Sequence, residues 1–291
     1  MDMTQIPLPS SADAEHAQSD LDRNDNTRQI VADVAYRQLA IVNVIFVGLE
    51  NAGDGNWVLV DAGIPGSAGA IRSAAKARFG GNGRPSCIVM THGHFDHVGV
   101  LETLGNEWHV PVYAHAAEHP YLDGSQSYPS ADPSVGGGLL ARLSPLFPTK
   151  PVDVASRLYD LPCDHSVPFM PEWQWIHTPG HTPGHISLWR ERDRVLIAGD
   201  AFITTRQESV YAAVTQTPEM HGPPMYFTPD WGSAKTSVRA LAALAPEIVV
   251  TGHGAAMQGP QMRAALDALA QRFDEVALPS QYRRGVVDDR A

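Results

Sequence analysis

The chain has 291 residues, of which 43% are hydrophobic and 18% are charged, and its formal net charge is −11. This composition is ordinary for a globular protein, and the excess of acid argues against nucleic acid as a partner, because phosphate binding needs a basic surface. No apolar run reaches the roughly 18 residues of a membrane-spanning helix, and residues 1–21 lack the features of a secretory signal. Two cysteines argue against a disulfide framework and favour a reducing, cytoplasmic location.

The chain is expected to begin and end with polar segments. Residues 1–28 are polar and contain several serines, so we interpret them as a tail, or alternatively as an arm that packs on a partner subunit in a homo-oligomer. Residues 29–278 form the predicted folded domain, and residues 279–291 form a second tail.

The first half of the predicted domain combines strands with helices. A turn rich in glycine and asparagine at residues 51–56 joins a β-branched strand to its return strand. The helix that follows ends at Gly80 and Gly81. In chain order, the predicted elements are strands within 30–50 and at 57–60, a helix at 67–79, a strand at 87–90, a helix from about 98 to 106, and a strand at 110–114.

Residues 123–171 interrupt this pattern with a stretch rich in proline, glycine and serine around an apolar helical piece at 139–146. Long segments of this kind are usually functional, so we interpret it as a lid-like insertion; the alternative is a surface insertion without function. Beyond it, the predicted elements are a strand at 173–177, strands at 186–190 and 194–198, a helix from 229 to 245, a strand at 247–251, and a helix from 260 to 276.

A cluster of potential metal ligands directly follows the strand at 87–90. His92, His94, Asp96 and His97 occur within six residues. Alternation along an extended chain places the first two on the same side, whereas the last two must point elsewhere if the chain turns into a helix. Imidazole and carboxylate together suit zinc, iron or manganese, so the cluster predicts ligands for two adjacent metal ions.

Three further ligand candidates follow later strands: His181, Asp200 and His253. The two halves of the chain share a pattern, because a strand followed by aspartate (Asp61, Asp200) precedes a strand followed by histidine (His92, His253) in each. Two similar halves that deliver ligands to a shared edge suggest two sheets packed face to face with helices outside.

These residues resemble the signature of the metallo-β-lactamase superfamily, a His-x-His-x-Asp-His loop followed by distant His, Asp and His. The resemblance covers about residues 30 to 275, and the Thr-Pro-Gly-His-Thr-Pro-Gly-His segment around His181 is similar to that of glyoxalase II-like and lactonase-like members. It implies an α+β fold, a four-layer αββα sandwich of two mixed β-sheets flanked by helices, with metals at one edge of the sheets.

The resemblance also implies a role for each residue. Two divalent cations are expected, most suitably Zn²⁺, with Fe or Mn as alternatives. Their ligands would be His92, His94 and His181 for the first cation, Asp96, His97 and His253 for the second, and Asp200 between the two. Asp61 would support the site from behind the ligands, and we expect His185 to make structural hydrogen bonds. The candidate residues of the substrate pocket are Tyr211, His221 and Tyr226.

The implied chemistry is hydrolysis of a small-molecule substrate. Two cations about 3.5–4 Å apart would share a water and lower its pKa towards ~7, and the resulting hydroxide would attack a carbonyl whose oxygen is stabilised as its charge grows. Asp96 and Asp200 are the candidate catalytic carboxylates, the former as the group that orients the nucleophile and protonates the leaving group. We therefore expect a dinuclear metallohydrolase for an ester, lactone or thioester.

Departures from the family patterns bear on the substrate. No cysteine is available as a ligand, which argues against β-lactams; Ile203 occupies the position of the lactonase tyrosine; and no basic cluster follows His253 to hold glutathione. The alternatives are a persulfide dioxygenase-like oxidoreductase with a single iron, a β-lactam or phosphodiester hydrolase, and a non-catalytic binding protein.

Overall fold

The structure, a computed structural model, describes residues 6–7, 25–129, 151–205 and 218–283. Its strands are β1 (Ile6–Pro7), β2 (Arg28–Val31), β3 (Val34–Leu39), β4 (Val42–Val47), β5 (Val58–Val60), β6 (Cys87–Val89), β7 (Val112–Ala114), β8 (Leu158–Asp160), β9 (Ser166–Val167), β10 (Met170–His177), β11 (Ile186–Arg190), β12 (Val195–Gly199), β13 (Ile203–Thr205), β14 (Pro218–His221), β15 (Ile248–Thr251) and β16 (Met257–Gln258). Its helices are α1 (Ala68–Phe79), α2 (Leu101–Trp108), α3 (His119–Leu122), α4 (Trp231–Ala243), α5 (Gly259–Gln271), α6 (Phe273–Val276) and α7 (Ser280–Arg283).

Two large sheets dominate the fold. The first has the order β2-β3-β4-β5-β6-β7-β8, antiparallel as far as β5 and parallel from there on. The second has the order β16-β15-β12-β11-β10-β9, with β12 and β15 parallel and the other pairs antiparallel. Both sheets are therefore mixed, as predicted. A small third sheet has the order β1-β14-β13.

Three apolar clusters define four layers. Side chains alternate across a strand, so Val60 of β5 lies in a cluster with Ile197 of β12 between the two sheets, while Leu59 faces the other way. That opposite face packs with Leu59 against α1 and α2. The outer face of the second sheet packs against α4 and α5, with residues such as Val238 and Leu266. The predicted αββα sandwich is confirmed.

The pattern shared by the two halves of the sequence corresponds to a shared arrangement of strands. In the first sheet, β5 and β6 are parallel neighbours, and Asp61 and His92 follow their ends. In the second sheet, β12 and β15 are parallel neighbours, and Asp200 and His253 follow theirs. Asn43 of β4 joins the sheets at this edge, since its side chain donates to the carbonyl oxygens of Thr251 (2.9 Å) and Gly254 (2.7 Å).

Part of the stretch 123–171 lies inside the sheets. Strand β8 pairs with β7 at the edge of the first sheet, and β9 pairs with β10 in the second. Neither strand was predicted, because both are short and partly polar. The apolar piece at 139–146 lies outside the described residues, so the lid-like role assigned to it stays a prediction.

The predicted tails also contain regular structure. Ile6 and Pro7 pair with β14 of the same chain, and Ile6 packs against the apolar cluster between the second sheet and α4 and α5. The tail at 279–291 begins with helix α7. Among the described residues, every helix is too short or too polar to cross a lipid bilayer.

Candidate metal centre

All seven predicted ligands come together at one edge of the sandwich. They lie on the loops that follow β6, β10, β12 and β15, and all are buried: His92, His94, Asp96, His97, His181, Asp200 and His253. Strand ends of both sheets meet at this edge. Residues separated by as many as 161 positions in the sequence therefore become neighbours.

The ligand atoms form three groups that could each hold a metal ion. Within each group these atoms lie within 4.8 Å of one another. The groups are His92, His94 and His181; His92, His97 and Asp200; and Asp96, His97 and His253. The first and third groups coincide with the two ligand sets that the resemblance implied.

Asp200 lies between these two sets. Its Oδ2 atom faces the Nε2 atoms of four histidines, at 3.9 Å for His92, 3.6 Å for His97, 3.4 Å for His181 and 3.2 Å for His253. One carboxylate oxygen thus contacts imidazoles of both sets. This is the position that a bridging ligand would occupy.

Buried polar atoms without hydrogen-bond partners indicate whether the candidate site suits a cation. Within the described part of the chain, His92 Nε2, His97 Nε2 and Asp200 Oδ1 are buried and have no hydrogen-bond partner. Leaving such atoms unpaired is costly, and cation binding would satisfy them. His94 Nδ1 and His181 Nε2 lie 2.9 Å apart, so these two nitrogens point to the same place. Imidazole nitrogens with carboxylate oxygens suit zinc and related divalent metals.

The other ring nitrogens are held by groups behind the ligands. Such contacts fix the ring orientation and leave the opposite nitrogen available for a metal. The pairs are His97 Nδ1 with the Asp61 carboxylate (2.8 Å), His92 Nδ1 with Thr91 Oγ1 (3.0 Å), His181 Nδ1 with Thr228 Oγ1 (3.1 Å), and His253 Nδ1 with the Ile41 carbonyl (2.6 Å).

Asp61 ties the ends of β5 and β6 together. Its carboxylate accepts hydrogen bonds from the backbone N–H and the hydroxyl of Thr91, both at 2.8 Å, in addition to the one from His97. Its backbone φ is 62°, in the left-handed region that aspartate adopts more readily than most residues. Asp61 therefore lies where the resemblance placed it, directly behind a candidate ligand.

His185 supports Asp200 through the backbone. Its Nε2 accepts a hydrogen bond from the Asp200 N–H at 2.8 Å, and its Nδ1 lies 2.8 Å from Thr178 Oγ1. Both ring nitrogens are therefore engaged away from the cluster of ligand atoms. This agrees with the structural hydrogen bonds that we expected of His185.

Burial and charge act differently on the two ligand sets. Burial lowers the pKa of His94 to about 3 and holds the pKa values of His92 and His181 well below the ordinary range, so these rings are in the neutral form that binds metals. Burial opposes the charged form of His97 as well. The carboxylates of Asp200, Asp61 and Asp96 outweigh that effect and raise the pKa of His97 well above the ordinary range. The negative charge there attracts a cation.

A cavity of about 270 Å³ opens beside the candidate ligands His94 and His181. The ring of Tyr128 lies 4.5 Å from the His94 ring, and that of Phe227 lies 5.0 Å from it, measured between centroids. The remaining lining is mainly aromatic, proline and threonine side chains, including the predicted Tyr226. Tyr128 and Phe227 were not predicted, because single aromatic residues between the main strands and helices carry no local signal of a pocket.

The other two candidate pocket residues differ in outcome. His221 lies in β14 as a fully buried residue, its Nδ1 is 3.0 Å from the Gly222 carbonyl oxygen, and it does not line the cavity. Strand pairing with Ile203 of β13 holds it there. Tyr211 lies outside the described residues.

Known proteins resemble this chain in sequence and fold. The family model of the metallo-beta-lactamase superfamily matches residues 38–253. The probable metallo-hydrolase YflN of Bacillus subtilis (strain 168) is 50% identical over 236 residues, which cover 81% of this chain and 89% of that protein. The hydroxyacylglutathione hydrolase GloC of Haemophilus influenzae is 26% identical over 113 residues, 39% of this chain and 48% of that one.

A solved structure described as the first B3 metallo-β-lactamase with an active-site glutamic acid has a TM-score of 0.57 at 17% identity, covering 100% of this chain and 99% of that one. At this identity the likeness concerns the fold alone. The family model, in contrast, spans most of the described strands and every candidate ligand from His92 to His253. The chain belongs to the metallo-β-lactamase superfamily.

Proposed function

We propose that this protein is a dinuclear metallohydrolase that opens the ester, lactone or thioester carbonyl of a small substrate. The observation that carries the proposal is the position of Asp200 Oδ2 between two sets of three ligands. Two divalent cations, Zn²⁺ before Fe or Mn for this donor set, would supply an activated water and stabilise negative charge on the substrate. A second complete ligand set favours this function over oxidation at a single iron.

The side chains of the cavity favour water as the source of the attacking oxygen. Its two threonine hydroxyls are already engaged: Thr182 donates to Glu118, and Thr228 donates to the Pro224 carbonyl oxygen. Among the described lining residues, none is serine or cysteine. Asp96 lies with its Oδ2 3.4 Å from His253 Nε2, where its carboxylate would orient the water and pass a proton to the leaving group.

The lining of the cavity supports an apolar, uncharged substrate group. None of the described lining residues is Lys, Arg, Asp or Glu. Aromatic walls favour apolar groups through burial of their surface, and no basic side chain among these residues is available to pair with a carboxylate on the part of the substrate that lies away from the metal centre. This favours simple esters and lactones over β-lactams and glutathione thioesters. The names of YflN and GloC, both described as hydrolases, agree with the reaction class.

Metal removal gives the direct test. We expect about two divalent ions per chain, loss of ester and lactone hydrolysis after complete chelation, and recovery on addition of Zn²⁺. Elemental analysis measures the metal content. A panel of esters, lactones, thioesters, β-lactams and phosphodiesters measures the loss and the recovery of activity. Full activity after chelation, or one iron per chain with consumption of oxygen, would contradict the proposal.

Phe227→Ala should weaken substrate binding more than it slows the reaction. Phe227 is partly exposed in the cavity and lies against His94, so its loss removes apolar contact of the order of 1.5–3 kcal/mol. We expect KM for an aromatic ester to rise about tenfold or more, with a much smaller change in kcat. Steady-state kinetics with aromatic and acetyl esters measures this.

Phe169→Ala is the matched control, because Phe169 is 60% exposed and lies between β9 and β10. Its KM should equal that of the unmodified protein. If Phe227→Ala left KM unchanged for every substrate, the cavity would not be the substrate site.

A further inference from the structure

Glu118 is a completely buried carboxylate close to the candidate metal centre but outside its ligand set. It ends the short 3₁₀ turn Ala116–Glu118 that follows β7. Its Oε1 accepts hydrogen bonds from Thr182 Oγ1 (2.7 Å) and from the Gly184 N–H (2.8 Å). Its Oε2 accepts one from the Gly93 N–H (2.9 Å) and one from the Tyr128 hydroxyl.

These four donors belong to three separate parts of the site. Gly93 lies between the ligands His92 and His94 on the loop after β6, and Thr182 directly follows the ligand His181 on the loop after β10. The ring of Tyr128 packs on His94. One side chain therefore joins both loops that carry the first ligand set to an aromatic wall of the cavity.

The packing around Glu118 is as close as the hydrogen bonding. A Cβ atom on Gly184 would lie 2.7 Å from Glu118 Cγ, and one on Gly93 would lie 3.0 Å from Tyr128 Cε2. A side chain on Gly184 would overlap Glu118, and one on Gly93 would press on the Tyr128 ring, so the backbone of both loops lies close to the carboxylate and its partner. The arrangement restricts how far either loop can move relative to the other.

We propose that Glu118 is a positioning residue that holds His94 and His181 at the separation needed to bind one cation. The proposal rests on the metal centre of the proposed function. Its physical basis is that each carboxylate oxygen serves one loop through a backbone N–H, which can only donate. An uncharged amide of the same shape cannot serve both loops, because its NH₂ group would face one of these N–H groups in either orientation.

Glu118→Gln is therefore expected to lower the affinity for metal while the fold is kept. Loss of a partner behind the ligands typically weakens metal binding or activity by about 10- to 100-fold. The metal-free protein is titrated with Co²⁺ alone in competition with a chromophoric chelator, and the visible absorption of bound Co²⁺ reports the ligand geometry. We expect a weaker first Co²⁺ site with an altered spectrum, and a fall in kcat that exceeds any change in KM.

Two further variants separate positioning from general destabilisation. Thr182→Val removes a single hydrogen bond from the second loop and should weaken Co²⁺ binding by about 2- to 10-fold, the range of one hydrogen bond. Glu107→Gln is the matched control, because this side chain is 41% exposed on α2 and pairs with Arg72; its Co²⁺ affinity and spectrum should be unchanged.

The outcomes distinguish this inference from the proposed function. If the unmodified protein binds no divalent metal, the proposed function fails. If it binds Co²⁺ and folded Glu118→Gln binds it with the same affinity and spectrum, the positioning role is wrong and the metal centre stands. Should Glu118→Gln not fold, Thr182→Val decides, and wild-type Co²⁺ affinity in that variant would overturn the inference.

Discussion

Replacing Asp200 with alanine is expected to abolish hydrolysis and to reduce the metal content of both candidate ligand sets. The Asp200 carboxylate faces imidazoles of both ligand sets, so its removal takes away the negatively charged group that the two sets share. The loss should exceed the roughly 10- to 100-fold that follows the loss of a partner behind the ligands. Elemental analysis and kcat/KM for an ester substrate measure the two effects.

Asp267→Ala provides the matched control, because Asp267 is exposed on helix α5, where alanine is a good helix former. Its metal content and kcat/KM should match those of the unmodified protein. If Asp200→Ala kept both metals and normal turnover, a bridging role for this residue would be ruled out.

Gly252→Ala should disrupt the same centre through a single added methyl group. A Cβ atom on Gly252 would lie 2.1 Å from Asp200 Oδ1 and 2.8 Å from His97 Cε1, distances that real Cβ atoms do not show. The carboxylate must therefore move away from its position between the two ligand sets. We expect a loss of metal and activity approaching that of Asp200→Ala, measured in the same assays, with circular dichroism to verify the fold.

Gly232→Ala is the corresponding control on helix α4. The nearest neighbour to an added Cβ atom is Asp230 Oδ1 at 3.5 Å, an ordinary contact, and Gly232 is exposed in the first turn of the helix. This variant should be fully active and as stable to heat as the unmodified protein. Normal metal content in Gly252→Ala would mean that the loop after β15 moves to accommodate the methyl group.

The sequence points to the candidate ligands because each of them follows a predicted strand in a recognisable pattern. His92 and His94 share one loop, and His181, Asp200 and His253 recur at strand ends, which sheet geometry brings to one edge. Local spacing and chain order were therefore sufficient to find residues that the fold brings together. The αββα layers followed from the same regularity.

The supporting contacts could not be predicted in this way. Glu118 meets Gly93 and Gly184 only in the folded chain, across separations of 25 and 66 residues, and nothing in its own sequence neighbourhood marks it. The sequence around Gly252 gives no sign of its close approach to Asp200, which only the folded chain shows. Strand β8 was missed because its pairing with β7 is decided by tertiary packing rather than by an apolar run.

The edge where the candidate ligands meet is also the place where the two sheets end side by side. His92, His94, Asp96 and His97 follow a strand of the first sheet, whereas His181, Asp200 and His253 follow strands of the second. Bound cations would thus act as cross-links between the halves, and each would stabilise the native state by about 2.7 kcal/mol at a free concentration one hundred times its Kd. The metal concentration in the cell would then affect the rate at which proteases degrade the protein, as well as its catalytic rate.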